Sequence, residues 1–195
     1  MKRSATLFVL SLGLVPAAAF AQTAGTGAAA AGTVGIDARV TPVCILGDPN
    51  PALINLGLLT ASAGPRTGKI AVIAPRTIAL PASFCNFAGS VVRIDTRALI
   101  AADGAAPQSG FARAVNFTAA ASNWASGAST ATTSALRDGT APAASGTGAT
   151  QPLPQIADIT VTLSNFTTPG DQFLVAGNYS GTVVVTLGPA AFAAD

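Results

Sequence analysis

The sequence predicts an all-β protein, an antiparallel β-sandwich of about seven or eight strands, and three observations carry that expectation. Short stretches alternate apolar and polar residues at a period of two, which puts one face of an extended strand in a core and the other in solvent. Clusters of Gly, Pro, Asn and Asp separate these stretches, among them GDPNP (47–51), SAGPRTG (62–68) and TPGD (168–171). The chain has no Glu, and Lys69 is its one lysine beyond Lys2, so several residues that usually cover exposed helices are missing. The helical crossovers of a parallel α/β sheet are not found.

The elements follow in chain order. Lys2 and Arg3, an apolar run over 5–19, and the small-x-small sequence Ala19-Phe20-Ala21 read as a signal peptide of residues 1–21. The run is shorter than the roughly 20 residues of a membrane-spanning helix, so no membrane insertion is expected after cleavage. Residues 22–33 lack periodicity and large apolar side chains and are expected to be a flexible lead-in to a single domain over 34–190. Within it, Val34, Ile36, Ala38 and Val40 alternate with Gly35, Asp37, Arg39 and Thr41 until Pro42. Further strands are expected over 53–59, 69–73, 76–80, 90–96, 111–119, 156–163 and 182–187. Residues 120–153, rich in Ala, Ser, Thr and Gly, are expected to form a long surface loop, with a weak strand over 130–136. Residues 191–195 form a tail.

Composition restricts function. Removal of Lys2 and Arg3 leaves eight basic residues against eight Asp, and no basic cluster remains to hold nucleic acid or an anionic membrane. Cys44 and Cys85 are an even pair in an exported chain, which favours a disulfide worth roughly 4 kcal/mol in the chain-entropy account. With no histidine, two thiolates fall short of a four-ligand metal site. The same absence removes Ser-His-Asp and Cys-His catalysis, and no Ser lies three residues before Lys69. No enzyme, cofactor or metal is expected. Gly64-Pro-Arg-Thr-Gly-Lys69 is one residue short of a phosphate loop, and Ile70 stands where the magnesium-binding hydroxyl belongs, so it reads as a turn.

What remains is an order of segments: the alternating stretch 34–41, then Cys44, Leu53-Ile-Asn-Leu-Gly57, Ile78-Ala-Leu-Pro-Ala-Ser-Phe-Cys85, and Ala176-Gly-Asn-Tyr-Ser-Gly-Thr-Val-Val-Val-Thr-Leu187. This order resembles the spore coat protein U family and the subunits of archaic chaperone-usher pili. Leu56 stands where that pattern has Phe, and Gly181 where it has Asp. The resemblance implies an immunoglobulin-like sandwich with an incomplete sheet edge, filled by the N-terminal strand of a neighbouring subunit. The candidate donor residues are Val34, Ile36, Ala38 and Val40, whose two-residue spacing lets all four side chains enter one groove; alternation alone favours an ordinary first strand of the same domain, and the resemblance brings the two readings level.

The expected function is an exported structural or adhesive subunit, located in the periplasm, at the cell surface or outside the cell. Its expected partners are like subunits or a periplasmic chaperone and usher. The rival expectation is a monomeric binding module, for example for carbohydrate, on a complete sandwich. Trp124 would be its one aromatic platform, since Tyr179 is expected to pack at the start of the last strand.

Overall fold

The computed structural model describes residues 31–102 and 106–191. The expected signal peptide, residues 1–21, and most of the expected lead-in lie outside the described residues, as do residues 192–195 of the expected tail. The chain divides between Arg39 and Val40. Residues 31–39 carry no strand and are exposed throughout. All the named strands belong to the unit that begins at Val40.

The fold is all-β, as expected. Its strands are β1 (Cys44–Ile45), β2 (Arg76–Cys85), β3 (Ser90–Ala101), β4 (Phe111–Ala112), β5 (Ala114–Ser122), β6 (Ser129–Thr132), β7 (Ala144–Thr147), β8 (Gln155–Thr167), β9 (Phe173–Leu174) and β10 (Tyr179–Pro189). A 3-10 turn, Pro169–Asp171, precedes β9. Eight strands make one folded-over antiparallel sheet in the order β1-β2-β8-β5-β3-β10, with β6 on β5 and β7 on β3. Strands β4 and β9 pair in parallel beside it.

Alternation places the core. Ile159, Val161 and Leu163 of β8 are buried, while Asp158, Thr160 and Thr162 between them are more exposed. The same period puts Val183, Val185 and Leu187 of β10 against the main core, together with Leu80, Val92, Ile94, Phe117 and Ala119. Tyr179 begins β10 and donates its hydroxyl to the Val175 carbonyl oxygen at 2.7 Å, so its ring anchors the strand start as expected.

Several expectations are corrected. Residues 53–59 are not a strand: Leu53 and Leu58 are each 83% exposed, and the segment runs irregularly beside the core. Residues 69–73 form only isolated bridges, Thr60 with Ile70 and Lys69 with Phe173. The stretch 111–119 is divided at Arg113, whose amide donates to the Arg137 carbonyl instead of continuing one ladder. Residues 120–153 are not a surface loop. They contain β6 and β7 and bury Trp124, Ser129, Ala131, Thr133 and Ala135.

Candidate functional site

The sheet curls until its two ends, β1 and β10, face one another, and the circuit stays open there. Strand β10 pairs with β3 along one side, and no named strand lies along the other. Strand β1 covers only Phe84 and Cys85 of β2; farther along that side, β2 has the single bridge between Asn50 and Ala79. A cross-strand disulfide, Cys44–Cys85, clamps β1 to β2. The expected pairing is therefore present, and it fixes one rim of the opening.

Between these rims lies an apolar groove of about 420 Å³. Its floor is the core itself, Leu99, Phe117, Val161 and Leu163, with Phe166 alongside. Gly181, Thr182, Val183 and Val185 of β10 form one wall. Ile78 and Leu80 of β2, with the irregular segment containing Leu46, Pro49, Pro51, Leu53, Ile54 and Leu56, form the other. The apolar content of residues 53–56, read from sequence as a strand, lines this groove instead. Open apolar surface continuous with a core is unusual for a monomer, and an edge strand with free amides and carbonyls beside it is a template for pairing.

The candidate donor residues are exposed. Val34, Ile36 and Val40 are 83%, 90% and 81% exposed, and Ala38 is exposed between them; none lies in a strand. The chain is first held at Thr41 and Val43: Asn86 Nδ2 donates to the Thr41 carbonyl oxygen at 2.9 Å, and the Val43 amide donates to Asn86 Oδ1 at 2.7 Å. The segment with the clearest strand alternation near the N-terminus thus has no ladder partner among the described residues.

The remaining candidates resolve differently. Trp124 is 3% exposed and packs in the main core, so it offers no platform to a sugar. The exposed aromatic pair is Phe111 with Phe173, ring centroids 5.8 Å apart, which alternation did not distinguish from core residues. The segment from Gly64 to Lys69 is a turn closed by the Thr67 amide and hydroxyl on the Gly64 carbonyl, and Lys69 Nζ is bound to Asp171 at 2.9 Å. Among the described residues, no three His, Cys, Asp or Glu side chains gather to hold a metal, and no helix is long and apolar enough to cross a membrane.

No protein-family model matches this sequence, and neither a curated protein nor a solved structure matches it.

Proposed function

We propose that the protein is an exported structural or adhesive subunit that assembles by donor-strand exchange, residues 34–41 of one copy filling the groove of the next. The observation that carries this reading is the presence on one chain of two complementary parts. One is an apolar groove between two sheet edges; the other is an alternating apolar segment without a ladder partner among the described residues. The order of segments shared with the spore coat protein U family and archaic pilus subunits supports the same reading. The disulfide suits a protein that matures in an oxidising compartment.

The magnitudes show what the interaction requires. Burying Val34, Ile36 and Val40 yields about 1.5–3 kcal/mol each, and only together do the three reach the size of the entropic cost of association. Side chains alone would leave assembly weak. The balance comes from main-chain hydrogen bonds to the free side of β10, each worth about 1 kcal/mol net. Both contributions vanish together if the alternating segment is removed. Until a neighbour arrives, the open groove calls for a temporary cover, the part a periplasmic chaperone plays before an usher in the resembled systems.

The purified mature protein is expected to form SDS-resistant ladders that collapse on heating. Deleting residues 22–41, or replacing Ile36→Asp, should leave monomers only. A protein that is strictly monomeric with and without residues 22–41 refutes the proposal.

A further inference from the structure

We infer that Arg97 sets the register of the exchanged strand by pairing with Asp37 of the incoming second copy; the inference rests on the donor-strand reading above. If Ile36 and Ala38 enter the groove, Asp37 between them must point to the outer face of the sheet. On that face β10 presents Thr182, Val184 and Thr186, whose partners on β3 are Arg97, Asp95 and Arg93. A strand that keeps its apolar face inward can slip only in steps of two residues, so these are the three positions at which Asp37 meets a charge on β3.

The three differ in charge. Beside Val184, Asp37 meets Asp95, a like charge. Beside Thr186 it meets Arg93, whose guanidinium already holds Asp95 at 3.1 Å. Beside Thr182 it meets Arg97, which is exposed and makes no salt bridge among the described residues. Thr182 also belongs to the groove wall, so this register seats Ile36 and Ala38 over the groove. With the incoming strand parallel to β10, Arg39 falls beside Val184 and its partner Asp95, a second opposite pairing in the same register.

The local shape fits a carboxylate. A hollow of about 350 Å³ opens on the outer face between Arg97, Ser180, Gly181, Thr182 and Gly139. The ladder is irregular between Ser180 and Thr182, and Gly181 contributes no side chain to fill the space. Donor and β3 are two strand spacings apart, about 9.6 Å, a span that an arginine and an aspartate side chain bridge together over Thr182. An exposed pair of this kind adds little affinity; it selects one register by penalising its neighbours.

The test uses the full mature chain with Asp37→Arg, Arg97→Asp, and both together. Each single reversal is expected to slow ladder formation about tenfold at low salt, and the double reversal to recover most of that loss. Cysteine pairs read the register directly: Asp37→Cys with Thr182→Cys should cross-link copies, and Asp37→Cys with Val184→Cys should not. Single reversals that assemble at the wild-type rate, a double variant no faster than the singles, or cross-linking through position 184 would overturn the inference. Ladders that depend on Ile36 but ignore these charges would leave strand exchange standing and refute the register lock alone. A monomeric wild type removes both.

Discussion

At the scale of single residues, the most strongly perturbed group is Asp171. Its carboxylate accepts from Arg66 Nη2 at 2.7 Å and Lys69 Nζ at 2.9 Å, tying the turn that contains Gly64 and Lys69 to the turn before β9. The hydrogen bond from Arg66, then that from Lys69, holds the carboxyl down from 3.8 to about 2. A carboxylate with a lowered folded pKa stabilises the protein above its unfolded pKa and loses that contribution as the pH falls through the folded value. Asp171→Asn should therefore melt lower than wild type at pH 6, with the gap narrowing from pH 4 to pH 2. The groups are exposed, so salt should shrink the gap as well. Thermal midpoints across that range check this, and a gap that stays constant contradicts it.

At the scale of elements, β6 and β7 show what small residues can build. A Cβ on Gly146 would run into the Thr130 carbonyl, so β7 reaches β3 only by passing backbone to backbone beside β6. Gly146→Val should cost about 2 kcal/mol or more in denaturant unfolding, whereas Gly35→Ala, with open space around it, should be neutral. Equal stability of the two variants would contradict that packing. The same strands explain where the sequence was legible. Ile159-Val161-Leu163 and Val183-Val185-Leu187 declare their inner face through side-chain volume, and both are strands. Ala131 and Ser129 are as buried, yet their burial comes from close backbone approach, which leaves no contrast in hydropathy to read. Residues 53–59 fail in the opposite sense, because apolar side chains that line an opening look like those of a strand. The candidate donor segment was visible from its alternation; the groove was not, since it arises from which edges the curled sheet leaves apart.

At the scale of the whole molecule, the compact unit has a core open on one side. A ligand that binds only the folded form raises its stability in proportion to occupancy. On the proposed function, a peptide of residues 31–42 added to protein lacking residues 22–41 should raise the melting midpoint by roughly 5 °C once well above its dissociation constant. A peptide with the apolar and polar positions exchanged should have no effect. Equal shifts from both peptides would show that the groove does not read alternation.

The position of the opening beside β10 has one more consequence. A slot and a donor segment are different surfaces of the same chain, so on the proposed function each contact between two copies would be heterologous, and only a reciprocal pair would restore a twofold axis. On the proposed function, each addition would consume one slot and present another, and unless the rotation closed into a ring the product would be a polar thread with distinct ends. Its length would then be set by supply and by whatever occupies the last empty slot.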